Sequence, residues 1–355
     1  MRTLRRYLTG HMVAGWLLFA TVMGVLLLLV RLIEELERVT DSYTTGQVVL
    51  HVLLTLPQQL LTLTPVIVLV GTLTAFARLE QLNEMTIIRA AGVNKARLLR
   101  SLMLPLLVLC LLLWGAMEWV TAPLHQWGEE IRSEARGNNT LEPGQSLWSR
   151  SGRTFYRLGR LGINQSPGDI DIFEFGPDHR LLRAIHAEQA RVIEGRRWQL
   201  EDAQVRRWEA GELSLQRQPG LIVDRLWSRD ELQRLLLGMD SMPPSVLYAY
   251  QDYLQRSGQS AHAHALALWN RLMLPLAAVG MALLALGLSV KPGSQRGGMG
   301  RQLAAGVLVG VLFYLGSQIL VALGQIYHLP PLATAVFPVV CIFLAASVLL
   351  MRLRW

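Results

Sequence analysis

Four arginines beside apolar runs are the residues of this sequence best suited to chemistry. Arg31 and Arg38 follow the first run one heptad apart, and Arg132 and Arg136 follow the third at i and i+4. On continuing helices each pair shares a face directed toward the outer leaflet. A guanidinium is a planar fork of five donors that grips phosphate two bonds at a time, so the four are candidate ligands for a phosphorylated lipid head group. The same side chains can instead pair with Glu34, Glu35 or Glu37 and only anchor the helix, and the sequence leaves both readings open. Glu118, ending the third run, and Arg271, opening the fourth, are each costly alone near lipid, which reads as a mutual structural pair.

A second candidate is the stretch from Leu79 to Gly92, an amphipathic pattern ended by glycine and suited to lying on a membrane or in a partner's groove. Glu84, near its middle, is the charge best placed for docking. Catalytic signatures are missing. There is no Walker A pattern, so ATP hydrolysis is not expected of this chain, and Gly297-Gly298-Met299-Gly300 lacks both the preceding strand and the Lys-Ser/Thr ending. There is no GxSxG, and His262 and His264, two apart, have poor helical spacing for shared metal ligation. Cys110 and Cys341 sit in apolar runs as small hydrophobes, with neither a disulfide framework nor a metal spacing. Asn138-Asn139-Thr140 matches a glycosylation acceptor, a tripeptide common by chance. No catalytic residue, metal or cofactor is expected.

The elements that must carry these residues follow from hydropathy. Of 355 residues 52% are hydrophobic and 17% charged, against roughly 25% charged in soluble domains. Six apolar runs, uncharged but for Glu118 near the end of the third, reach about the 20 residues needed to cross the hydrocarbon core: Tyr7–Val30, Val48–Ala77, Ser101–Thr121, Leu272–Val290, Gln302–Tyr327 and Leu332–Met351. The first, behind Arg2, Arg5 and Arg6, is too long for a signal peptide and has no small-residue cleavage site after it. Residues 122–265 hold 18 Lys/Arg against 19 Asp/Glu, so the net charge of +8 belongs to the membrane part. A basic patch for nucleic acid would lie on a folded domain instead.

The loop between runs two and three carries Arg78, Arg89, Lys95, Arg97 and Arg100, the next such loop Lys291, Arg296 and Arg301, and the C-terminus Arg352 and Arg354. The first-to-second loop is acidic, so the positive-inside rule places both termini in the cytoplasm and residues 122–265 outside. Within 145–236, short alternating segments separated by turn signals predict an antiparallel β domain of sandwich or jelly-roll type. Its apolar face is either an ordinary packed core or a place for acyl chains, and its edges suit strand addition.

With these features in place, the chain resembles the LptF/LptG permease family of lipopolysaccharide export, on the side of its LptG branch. The resemblance spans nearly the whole length. It rests on Asn83-Glu84 through Arg89-Ala90-Ala91-Gly92, on Glu118-Trp119-Val120 with Ala122-Pro123, on Tyr253 through Gln259, on Leu268-Trp269-Asn270-Arg271 leading to Pro275-Leu276, and on Leu329-Pro330-Pro331. It implies an α-helical polytopic inner-membrane protein with six transmembrane helices, 3+3, around an inserted all-β periplasmic jelly-roll-like domain. The segments are then 1–121, 122–265 and 266–355.

The resemblance also implies an ABC-type machine in which an LptF-like subunit pairs with this one on an LptB-like ATPase dimer that uses the ATP. Lipopolysaccharide leaves the outer leaflet and passes to LptC-like and LptA-like periplasmic β proteins. Residues 79–91 become the coupling helix, with Glu84 and Arg89 toward the ATPase, and Arg31, Arg38, Arg132 and Arg136 fall in basic stretches that meet lipid phosphates. Glu37 departs from that pattern, since relatives can carry a basic residue there. The rivals are a scaffold that recruits periplasmic partners, an ABC-type permease for another lipid or lipoprotein, and, ranked last, a membrane-bound hydrolase.

Overall fold

The computed structural model describes residues 2–135, 147–160, 168–178, 180–194, 197–209, 212–224, 239–256, 260–289 and 299–352. Among the described residues five helices are long and apolar enough to cross a membrane, and a bent pair that passes the same test together brings the spans to at most six. The first span, α1 (Arg2–Leu36), is a single helix. The second is not continuous. It is broken into α2 (Thr45–Thr62) and α3 (Thr64–Gln81), which meet at 69°. Pro65 at the start of α3 has no N–H to extend the α2 ladder, and Leu63 closes the turn instead.

Short α4 (Glu84–Ala90) follows, then α5 (Lys95–Ala116), a π-turn (Met117–Thr121) and α6 (Ala122–Ala135). The third span therefore runs past residue 121 as one long rod. After the β domain come α7 (Pro244–Arg256), α8 (His262–Ser289), α9 (Met299–Ile326) and α10 (Pro331–Arg352). The fourth span starts ten residues before Leu272, at His262. Cys110 is buried as expected, whereas Cys341 lies on an exposed face.

The most buried span is α8, which packs against α3 and α10 through Ala277, Met281, Ala285, Leu69, Leu73 and Ile342. By contrast, α1 and α9 expose most of their apolar length, as helices facing lipid or a partner must. What holds α1 is a close crossing with α3. A Cβ on Gly15 would lie 2.3 Å from the Gly71 carbonyl oxygen, so only two glycines let the backbones approach this far. Beside the crossing, Trp16 Nε1 donates to Thr72 Oγ1 at 2.8 Å in a buried setting.

The β domain is an antiparallel meander, β1 (Leu147–Ser151), β2 (Thr154–Arg160), β3 (Gly168–Phe175), β4 (Leu181–Glu194), β5 (Arg197–Glu209) and β6 (Glu212–Val223), with neighbours paired in sequence order. One face is apolar, with Leu158, Ile170, Ile185, Ala187, Trp198 and Leu200 at its centre. The phase of that face slips by one residue along a line across the sheet. In β4 the buried positions run Ile185, Ala187, then Ala190, and in β5 Trp198, Leu200, then Ala203 and Val205.

Asp202, at the slip, has φ 55°, and Asp169 on the same line has φ 53° beside Gly159. A local left-handed residue costs one period of alternation and bends the sheet, keeping the apolar face inward on both sides of the bend. Arg217 pairs with the exposed Asp202 carboxylate and holds its pKa below the usual range.

Candidate functional site

At the end of α1 nearest the β domain, helices α1, α2 and α6 converge on a small core of Tyr43, Val48 and Ala135. Above it sits Glu35, a carboxylate with only 8% of its side chain exposed. Arg38 Nη1 donates to Glu35 Oε2 at 3.2 Å, and Arg132 Nε approaches Oε1 at 3.1 Å while its Nη1 lies 3.7 Å from Glu129. Arg31 Nη1 donates to Glu34 at 3.1 Å and its Nε to Gln59 on α2 at 3.1 Å. The α2–α6 contact below is fixed by buried His51, whose Nδ1 lies 2.8 Å from the Gly128 carbonyl.

Glu35 thus brings together two of the four candidate arginines, Arg38 and Arg132, while Arg31, four residues before Glu35 on α1, holds Glu34 and Gln59, and Arg136 lies outside the described residues. They do not form helical stripes as the spacing predicts. Helix α1 ends at Leu36, and Arg38 folds back onto Glu35. Glu35, one of three acidic alternatives in the sequence, is the group that ties two of them together. Anchoring and ligand binding are compatible here. Arg31 and Arg38 keep 51% and 54% of their side chains exposed, and a guanidinium that spends one or two of its five donors on protein has the rest for phosphate oxygens. Arg132, at 27%, is the more locked.

The opposite end of α1 meets α4. Asn83, with φ 57°, turns the chain into α4, whose Met85 is buried with Leu8, Phe76, Leu79 and Leu98. Glu84 is not free: Tyr7 Oη on α1 donates to Glu84 Oε2 at 2.5 Å. Arg89 lies 3.8 Å from Glu80, and Leu82 and Ile87 point outward, 56% and 65% exposed. The segment has an anchored side, an outward apolar side and a polar link to the first span.

Glu118 and Arg271 do not pair with each other, which corrects the sequence expectation. Glu118 accepts from the backbone N–H of Ser245 at 3.2 Å and from its hydroxyl, at the first turn of α7. Unpaired amides and the dipole at a helix start attract a carboxylate. Arg271 donates to the carbonyls of Met242 and Met239, with Asp240 at 3.8 Å. His125 and Gln126 on α6 also reach Ser241, each at 2.8 Å. Residues 239–245, which return the chain from the sheet to the membrane, are therefore held from the third and fourth spans at once. Nothing in the sequence marked Ser241 or Ser245 as the common target.

Among the described residues ligating-type groups meet in one place, where Asp169, Asp171 and His186 stand together on β3 and β4. Arg157 already fills it, with Nε 2.6 Å from Asp171 and Nη2 3.2 Å from Asp169, making an internal ion-pair network. His262 turns to the Gly324 carbonyl at 2.9 Å and His264 to the Tyr250 ring, so the two histidines face different partners. Burial pushes the Tyr250 hydroxyl pKa up to about 12. The tripeptide Asn138–Thr140 and the glycines at 297–298 fall outside the described residues.

The family described as "Lipopolysaccharide export system permease LptF/LptG" matches residues 6–352. The chain belongs to the LptF/LptG family. Similar proteins include the lipopolysaccharide export system permease protein LptG of Escherichia coli strain K12, 28% identical over 353 residues, covering 95% of this chain and 96% of that one. The LptG of Haemophilus influenzae is 28% identical over 347 residues, with 95% of each covered. For an LptF/LptG permease the architecture follows: a multi-pass membrane protein with up to six spans and an antiparallel β domain between the third and fourth. Glu35 and its two arginines lie where α1 and α6 end toward that domain, and the α4 segment at the opposite end of α1.

Proposed function

We propose that this chain is the LptG-type half of a lipopolysaccharide exporter, paired with an LptF-like subunit and seated through α4 on an LptB-like ATPase dimer. The carrying observation is that one helix, α1, bears the exposed guanidinium group of Arg31 near one end, with Arg38 two residues past its last turn, and the Tyr7–Glu84 contact at the other. In the bacterial inner membrane both termini and α4 face the cytoplasm, where the Lys/Arg-rich loops belong, and residues 122–265 face the periplasm.

Phosphates of lipopolysaccharide in the outer leaflet dock on Arg31 and Arg38, with Arg132 and Arg136 completing the basic stretch and apolar helix faces taking the acyl chains. ATP binding by the partner closes the ATPase dimer. The motion enters through Glu84 and Arg89, and the lipid is driven toward the apolar face of the β domain and on to LptC-like and LptA-like proteins. This chain supplies binding and coupling, and the bond-breaking chemistry stays with the ATPase.

The test is photocrosslinking in membranes from Arg31 and from Leu221, a half-buried position against the apolar face of the sheet. Crosslinks to lipopolysaccharide at Arg31 without ATP, and at Leu221 only with it, are the expected result. Crosslinks to protein alone at both positions would sink the transport mechanism and leave a scaffold.

A further inference from the structure

A groove of about 950 Å³ runs between α1, the α2–α3 break and α5, away from the arginines described above. Its wall is apolar, Trp16, Leu17 and Leu112 among it, except for a few threonines and for Arg5 and Arg6 at one mouth. Among the described residues neither Arg5 nor Arg6 has a carboxylate or other polar partner. The contrast with Arg31, Arg38 and Arg132, all paired, is what makes the mouth stand out. Gly10 leaves the wall open, for a Cβ there would meet nothing within 4 Å.

Two cations with no protein anion, at the end of a lipid-accessible apolar slot, fit a ligand with a phosphate at one end and a hydrocarbon chain behind it. We infer that the groove holds an anionic phospholipid of the cytoplasmic leaflet, its phosphodiester on Arg5 and Arg6 and one acyl chain along α1 and α5 past Gly10 and Trp16. Dimensions agree. From Arg5 to Ala20 the helix rises about 22 Å at 1.5 Å per residue, enough for the acyl layer of one leaflet, about 15 Å.

The exported lipid is a poor occupant, since Arg5 and Arg31 are about 39 Å apart along α1, nearly the full thickness of a bilayer with its head groups. A partner's transmembrane helix would fill the apolar slot but would have to bring carboxylates to its mouth. A phospholipid supplies both parts by itself. The leaflet assignment rests on the orientation proposed above.

The experiment uses the assembled transporter, purified in detergent, exposed to phosphatidylglycerol or phosphatidylcholine and read by native mass spectrometry. Retention of phosphatidylglycerol over phosphatidylcholine is expected, falling about thirtyfold in an Arg5→Gln/Arg6→Gln double variant. Gly10→Phe, which keeps both charges and fills the slot, should lower retention of either lipid. Equal retention of the two lipids, or no effect of either variant, would overturn the site. A benzoylphenylalanine at Leu112 should crosslink to phospholipid, and crosslinks only to polypeptide would assign the groove to a partner helix instead. Labelling of Thr3→Cys from outside in spheroplasts would reverse the leaflet while leaving the retention result standing, so failure of the orientation and failure of the site are told apart.

Discussion

The proposed cationic site needs its cations held but not neutralised, and the geometry at Glu35 meets both conditions. One buried carboxylate accepts from two arginines of different elements, so α1 and α6 are locked while most guanidinium donors stay available. Glu35→Gln removes the charge and keeps the shape. Weakening two charge-assisted bonds should lower stability by about 1–3 kcal/mol, read as a lower Tm of the purified complex, and should loosen lipopolysaccharide crosslinking at Arg38 more than at Arg31, which has other partners. Tyr7 is the corresponding small device at the other end. In Tyr7→Phe only the hydroxyl that donates to Glu84 is lost, so the complex should assemble and hydrolyse ATP at near-normal rate while exporting several-fold less lipid per ATP. Unchanged export per ATP would show that coupling bypasses α1. The sequence singles out the arginines and Glu84 as candidates because charge beside apolar runs is rare and visible. Arg31 and Arg38 pair with Glu34 and Glu35, local partners the sequence offered, whereas the partner of Glu118 was hidden, because Ser245 lies 127 positions away and linear spacing says nothing about such contacts.

Elements were legible where their period was long and failed where direction changed. The spans and the antiparallel β domain follow from composition and alternation, yet Val48–Ala77 reads as one helix, since hydropathy is blind to a 69° bend at Leu63 and Pro65. The slip in β5 is visible afterwards in Trp198, Leu200, Ala203 and Val205, but an alternation count treats it as noise until Asp202 is seen at φ 55°. The break borders the groove between α1 and α5, and beside it α1 crosses α3 closely at Gly15–Gly71. Gly71→Ala tests that crossing. Its Cβ would stand 2.8 Å from the backbone of Gly15 and Trp16, a clash no rotamer relieves, so the helices must part and the Trp16–Thr72 hydrogen bond must stretch. A loss of about 1–3 kcal/mol is expected, with faster exchange of the Trp16 indole proton. Gly10→Ala, where space is open, serves as the control and should leave both unchanged.

For the whole molecule the question is how a movement of the spans reaches the sheet. The chain crosses between membrane and β domain twice. On the way out it follows the continuous rod of α5, the π-turn and α6, and on the way back residues 239–245 are gripped by Glu118, His125 and Gln126 from that same rod and by Arg271 from α8. The return is therefore fastened to both halves of the bundle, and α7 carries Tyr253 onto the apolar face of the sheet. A clamp of this kind makes the β domain follow the spans rather than hang from them. Arg271→Met keeps the stem but releases the carbonyls of Met239 and Met242, whereas Asp240→Asn, at an exposed side chain 3.8 Å away, disturbs far less. The Arg271→Met complex should still bind its ATPase and still crosslink lipopolysaccharide from Arg31, while ATP-dependent crosslinking at Leu221 falls at least several-fold. Loss of both crosslinks together would mean that Arg271 supports the lipid site itself, and the two ends of the path would then be one mechanical unit.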